Sequence, residues 1–269
     1  MKKCPNCGAE VEVDAKFCTN CGAQLQAPEA QPQPQQRVQT VPAQPNGFSL
    51  YWEWLVNSWK RPTAKLKTEK WYGIVNILVV VLLTTLTIWR LLAGFLSKTV
   101  STSMSSFGSF GSDVQNEAQN YANNAMGGSI SSLSISAFFA ILIVAVCFIG
   151  FGILGRKFIY GGQIDVLSYI NEVAQYSNYN MIISLLMFLL ALISVDSATM
   201  IGILFVILYY VFMAAVLVPV INNGEGKNDK IWGTLITFLG LIIGCFIAYF
   251  IAKSAITSVI SQLSNAFKL

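Results

Sequence analysis

The sequence predicts an all-α membrane protein, with about five transmembrane helices plus interfacial helices, carrying a small β-type module at its N-terminus. Three observations lead there. Of 269 residues, 54% are hydrophobic and 11% charged, with a mean hydropathy of +0.58, too apolar for an ordinary soluble protein. The apolar residues gather in separate runs rather than spreading along the chain. And the first 22 residues hold Cys4-Pro5-Asn6-Cys7-Gly8 and Cys18-Thr19-Asn20-Cys21-Gly22, two knuckles of the kind that grip metal in a reducing compartment.

The N-terminal module spans residues 1–26. Each knuckle supplies two sulfurs, and the ten-residue excursion of C-x2-C-x10-C-x2-C returns the second knuckle to the first, so Cys4, Cys7, Cys18 and Cys21 are the candidate metal ligands. A pair of disulfides is the alternative, disfavoured in the cytosol. Val11 and Val13 alternate with Glu10, Glu12 and Asp14 as in a strand, Phe17 is placed to pack beside the knuckles, and Gly8 and Gly22 suit turns of positive φ that aim amides at sulfur. This stretch resembles the short zinc ribbons, whose four zinc positions are all filled here by cysteine, and the resemblance implies Zn2+. Four cysteine ligands, in a chain with no histidine, leave no open coordination position, so the Zn2+ is expected to be structural. Lys2, Lys3 and Lys16 are matched by Glu10, Glu12 and Asp14. A phosphate-binding face needs a basic excess, so protein contact is expected and nucleic acid is not.

Residues 27–47 are Gln- and Pro-rich, a flexible linker with nothing to bury. In residues 48–71, Phe48, Trp52, Leu55 and Trp59 recur at helical spacing, followed by Lys60, Arg61, Lys65, Lys67 and Lys70 and then Trp71 and Tyr72. That pattern predicts an interfacial amphipathic helix and a basic collar facing membrane lipids. The membrane domain, 72–269, has spans at about 72–95, 133–154, 181–195, 200–221 and 231–252. The third is short, and either draws on polar residues at its ends or forms a re-entrant hairpin with the fourth. With Arg90 inside the first span set aside, 13 Lys and Arg fall on the N-terminal side of the membrane and three on the other, which predicts a cytoplasmic N-terminus and an extracytoplasmic C-terminus. The chain opens on the ribbon, so the first span is expected to act as the membrane signal. Between spans one and two, residues 96–132 read as a Ser-, Gly- and Asn-rich outer loop with a short helix at 112–126; on the inner side Ile164, Leu167, Ile170 and Ala174 form the stripe of a second surface-lying helix.

Gly150-Phe151-Gly152-Ile153-Leu154-Gly155 matches a dinucleotide-binding pattern, but it ends an apolar run with no preceding strand, so these glycines are read as close-packing or bending positions. Gly233, Thr237, Gly240, Gly244, Ala248 and Ala252 form a small-residue stripe that admits another helix, within the bundle or in a homo-oligomer through Gly240 and Gly244. Arg90 is expected to snorkel to the interface, Cys147 and Cys245 to pack, and Pro219 to loosen a helix end.

From Phe48 onward the chain resembles the Yip family of five-span proteins in span count, cytoplasmic N-terminus, the Trp-Lys-Arg-Pro sequence at 59–62 and the amphipathic inner loop, while lacking that family's Asp-Leu-Tyr-Gly-Pro type motif. Ribbon, linker and spans together resemble zinc-ribbon membrane proteins of Gram-positive bacteria. The expected function is non-enzymatic: an integral membrane protein whose cytosolic ribbon recruits or senses a protein partner while the bundle anchors or organises. A small transporter or permease component using Arg90, Asn76, Thr84, Thr85 and Thr87 is the alternative. No convergent catalytic set is found, so no enzyme is expected.

Overall fold

The computed structural model describes residues 1–25, 46–106, 112–222 and 224–266. It divides into two compact units, Met1–Asn46 and Gly47–Leu269. In the first, β1 (Lys2–Lys3) pairs antiparallel with β2 (Glu10–Val11), so that Lys2 faces Val11 and the first knuckle occupies the turn between them. A bridge from Phe17 to Gln24 frames the second knuckle in the same way. The strand alternation expected through Val13 stops at Val11, because Ala15 N–H turns back onto the Glu12 carbonyl at 3.1 Å. Val11 is buried, whereas Val13 is 61% and Phe17 56% exposed; Phe17 contributes its backbone, and its ring does not pack beside the knuckles. The Gln/Pro-rich linker lies, up to Pro45, outside the described residues.

The second unit is helical: α1 (Gly47–Lys60), α2 (Tyr72–Ser106), α3 (Ser112–Tyr160), α4 (Val166–Tyr176), α5 (Tyr179–Ile193), α6 (Ala198–Ile221) and α7 (Lys230–Ala266). Four stretches, Tyr72–Thr99, Gly127–Tyr160, Val195–Ile221 and Lys230–Ser261, are long and apolar enough to cross a membrane. α4 and α5, bent by 56°, together offer a further one. The expected outer loop is largely helix, since α2 runs on to Ser106 and α3 begins at Ser112. Polar Ser/Asn sequence can be carried this way because extending an existing helix avoids the cost of nucleation.

α3 and α7 form a long antiparallel pair. A side chain added at Gly155 would strike the Gly233 carbonyl and, at 2.6 Å, Thr237 Oγ1; one at Gly240 would meet the Cys147 carbonyl at 2.8 Å; one at Gly244 would meet Val144 Cα at 3.0 Å. The small-residue stripe of α7 is therefore filled by α3 of the same chain. Of the two kinds of neighbour such a stripe admits, a helix of the same bundle lies against Gly240 and Gly244.

α5 lies beside α2 and runs parallel to it. At one end Asn76 Nδ2 donates to Asn178 Oδ1 at 2.5 Å, and at the other Lys98 pairs with Asp196 just beyond α5. The 15 residues of α5 between these two contacts rise about 22 Å as helix. The segment thus runs alongside α2 from Asn76 to Lys98.

Two amphipathic helices pack differently from their sequence patterns. α1 buries Tyr51, Trp54, Leu55 and Ser58, with Tyr51 and Trp54 each 5.4 Å from the Tyr72 ring centroid, while Phe48 and Trp52 of the expected stripe stay exposed. The helix is apolar on two overlapping stripes, and the one bearing Ser58 packs against Tyr72 and Ala174, with the Ser58 hydroxyl accepting from Asn178 Nδ2. α4 is not simply surface-lying: Tyr169, Val173 and Ala174 are at most 1% exposed, and its polar residues Asn171 and Gln175 are buried as well. Asn171 Nδ2 donates to the Glu69 carbonyl at 2.9 Å and its Oδ1 accepts from Gly73 N–H at 2.7 Å; Gln175 Nε2 donates to the carbonyls of Pro62 and Ala64 at 2.6 and 2.7 Å. These side chains satisfy the non-helical backbone of the collar, which could not otherwise lie against a helix. Asp165 caps α4, accepting from Leu167 N–H at 3.1 Å, and the Ser168 hydroxyl holds its carboxyl below the usual range.

The charged ends separate. α4 joins the collar, Arg156 bonds Glu172 at 2.7 Å, and Lys227 and Asn228 N–H donate to the Ile159 carbonyl at 2.7 and 3.0 Å. Lys60, Arg61, Lys65, Lys67, Lys70, Arg156, Lys157, Lys227 and Lys230 thereby gather at one end of the bundle, and the Lys98–Asp196 pair marks the other.

Candidate metal centre

The four cysteines come together: their Sγ atoms all lie within 4.8 Å of one another. Cys4 Sγ is 3.7 Å from Cys21 Sγ, and Cys7 Sγ is 3.6 Å from Cys18 Sγ. A tetrahedral zinc with Zn–S of about 2.3 Å sets its sulfurs about 3.8 Å apart, so the separations match a four-thiolate cage and are too long for disulfides of about 2.05 Å. The donor set fits Zn2+.

The cage is built twice over from one local rule. Cys4 N–H donates to the Ala9 carbonyl at 2.9 Å and Gly8 N–H to the Cys4 carbonyl at 2.9 Å; in the second knuckle Cys18 N–H donates to the Ala23 carbonyl at 2.8 Å and Gly22 N–H to the Cys18 carbonyl at 2.7 Å. Gly8 and Gly22 close these turns at φ 74° and 73°, a conformation costly for any residue with a Cβ. Cys4 and Cys18 are buried, Cys7 and Cys21 exposed. Asn6 Nδ2 reaches Cys21 Sγ at 3.8 Å and Asn20 Nδ2 reaches Cys7 Sγ at 3.9 Å, so each knuckle's asparagine serves the other knuckle's outer sulfur. Sequence reasoning passed over this pair; its signal is the asparagine standing immediately before the second cysteine of both knuckles.

Backbone amides set the acidity of the thiols. Asn6 N–H, and then Cys7 N–H, hold the Cys4 thiol below its ordinary pKa, and Ala23 N–H does the same for Cys21. At Cys7 the Ala9 amide also pulls downward, but the neighbouring Cys21 sulfur and desolvation outweigh it and push the thiol up to about 11. Stacked thiols cannot all ionise without a cation between them.

In the helical unit, Gly152 and Gly155 are packing positions: a Cβ on Gly152 would collide with the Tyr169 hydroxyl and come within 3.0 Å of Val216 Cγ1, while Gly150 faces open space. Thr84, Thr85 and Thr87 are buried, and their hydroxyls donate to the carbonyls of Val80, Val81 and Leu83 in their own helix at 2.7–2.9 Å. They present no free donor to a permeant solute. Arg90 is half-buried one turn before Gly94. Cys147 is half-buried against Gly244, Cys245 is exposed, and Pro219 is buried near the end of α6. A junction not anticipated joins Asn76 to Asn178, and Asn178 to Ser58, with Trp59 Nε1 donating to the Asn178 carbonyl at 3.0 Å.

Fold and site together define a zinc-ribbon module joined to a polytopic helical domain of membrane type. Residues 3–25 match the zinc-ribbon domain family model. Residues 45–262 match the Domain of unknown function (DUF6574), and because that model covers most of the chain, the protein belongs to the DUF6574 family. No curated protein and no solved structure matches it.

Proposed function

We propose that this chain is a non-enzymatic, multi-pass membrane protein of five crossings, with a cytoplasmic N-terminus, whose zinc ribbon engages a protein partner while the bundle anchors and organises. The observation that carries this reading is the ribbon itself. Four cysteines fill a tetrahedron and leave no coordination position for substrate. Outside the cage, Val13 and Phe17 stand exposed on a module that is compact apart from the bundle. Apolar groups held out on a rigid metal-built turn suit protein contact, and the module's balanced charge does not suit phosphate. The zinc is structural. The gathering of nine Lys and Arg at one end of the bundle supports placing that end, and with it the ribbon, in the cytoplasm. Crosslinking in native membranes, comparing the intact chain with one lacking residues 1–26, tests the reading. One defined adduct should disappear with the ribbon; an identical adduct pattern in both would count against recruitment.

A further inference from the structure

α1 is apolar on two sides, and the bundle covers one of them. Tyr51, Trp54 and Leu55 pack inward, in a cluster that takes in Tyr72, Val75 and Ile77 of α2 and Met181 of α5. Tyr72 opens the stretch of α2 that is long and apolar enough to cross a membrane, and Ile77 lies about 7 Å further along it. α1 is therefore held beside the first turns of that stretch, not beyond its end. On the other side, Phe48, Trp52, Val56 and Trp59 fall within about 80° of one another around the helix axis. Phe48 is 72% and Trp52 52% exposed, with the Trp52 ring edge-on to Trp59 at 6.4 Å. Among the described residues nothing covers these two rings.

The charge beside this face indicates what covers it. α1 ends on Lys60, and Arg61, Lys65, Lys67 and Lys70 follow, all exposed. Between Gly47 and Trp71 these five positive charges meet only Glu53 and Glu69. The collar is tied down, because Gln175 Nε2 donates to the Pro62 and Ala64 carbonyls and Asn171 Nδ2 to the Glu69 carbonyl. Beyond it, exposed Trp71 stacks on Tyr51 at 5.7 Å. Basic side chains and exposed aromatic rings are thus fixed together at the boundary of an apolar span. That combination suits the headgroup level of a bilayer containing anionic lipid, where aromatic rings settle and Lys and Arg meet negative charge. A second copy docked through the same face would bring one basic collar against another.

We propose that the outer face of α1 and the basic collar together bind the anionic phospholipid surface of the leaflet at that end of the bundle. Phe48 and Trp52 enter the acyl boundary, and Arg61, Lys65, Lys67 and Lys70 face the negative headgroups; the inference rests on the reading that these helices cross a membrane. The test places a benzophenone amino acid at Trp52 and, separately, at Phe95, which is exposed near the other end of the same α2 stretch beside the neutralised Lys98–Asp196 pair. The full chain is set in nanodiscs of equimolar phosphatidylcholine and phosphatidylglycerol with identical acyl chains, and mass spectrometry reads the lipid adducts. At Trp52 phosphatidylglycerol should outlabel phosphatidylcholine about fivefold, as one basic residue near an anionic surface gives, and at Phe95 the two should label equally. Arg61→Gln, Lys65→Gln, Lys67→Gln and Lys70→Gln combined should bring the Trp52 ratio close to one, and so should about 0.5 M salt on the unaltered chain if that variant lowers the thermal midpoint. Equal labelling at Trp52 in the unaltered chain would overturn the anionic preference. A protein adduct there in place of lipid, with a second copy or another chain, would overturn the lipid assignment. Lipid adducts at Phe95 but none at Trp52 contradict this proposal alone, whereas none at either position contradicts the membrane reading and takes the proposal with it.

Discussion

Stripping the metal should unfold the ribbon and leave the helical unit intact. Within the module the buried side chains are Cys4, Val11 and Cys18, with Ala9, Ala23 and Leu25 partly covered. One fully buried valine contributes about 1.5–3 kcal/mol, whereas a structural zinc contributes on the order of 10–16 kcal/mol, so the metal dominates. Without it the knuckle hydrogen bonds lose the cage that holds them. Hydrogen exchange of the full chain in detergent, read by mass spectrometry before and after chelation, follows this at the amides of Cys4, Gly8, Cys18, Gly22 and Leu25, all of which donate to backbone carbonyls in the folded module. These amides should move to near-unprotected rates, while those of α3 and α7 stay slow. Cys7→Ser should reproduce the loss at sub-stoichiometric zinc. Unchanged protection in the chelated ribbon would refute the claim that zinc builds this module.

Metal uptake should be coupled to protons. Only thiolates bind, so affinity should fall as pH falls; the Cys7 thiol, pushed up to about 11 in the metal-free cage, must surrender its proton at neutral pH, whereas Cys4 and Cys21 sit below their ordinary values. Calorimetry in two buffers of different ionisation enthalpy should show that release. Gly155→Leu, which drives a side chain into the Gly233 carbonyl, should destabilise the α3–α7 pair by about 1–3 kcal/mol, while Gly150→Ala, facing open space, should not; thermal midpoints in detergent compare them. Gln175→Leu should leave the Pro62 and Ala64 carbonyls unpaired and speed tryptic cleavage at Lys65 and Lys67, with cleavage elsewhere unaffected. Asn178→Ala and Asn76→Leu, which disrupt one junction, should each cost about 1–3 kcal/mol and combine to less than their sum in a double-mutant cycle.

The metal ligands and the long apolar helices were legible because each rests on a local rule: thiol spacing for one, run length for the other. Where a residue's role depends on what lies across from it, the pattern misled. α4 carries Asn171 and Gln175 where a surface helix would carry solvated groups, and only the folded chain shows that they are turned onto the backbone of the collar. α1 has two overlapping apolar stripes, and helical periodicity alone does not choose between them. The small-residue stripe on α7 was visible, but that α3 lies against it is shown only by the helix that approaches Gly240 and Gly244. The extensions of α2 and α3 beyond their apolar segments were missed because hydropathy measures where a helix is buried and not where it ends.

A photocrosslinking residue placed at Phe17, exposed on the ribbon and outside its metal cage, tests the recruitment claim most directly in native membranes. The account predicts one defined protein adduct that is lost in Cys7→Ser while the chain remains inserted. An adduct that persists in Cys7→Ser, or a Phe17 position that captures no protein in the intact chain, would contradict it.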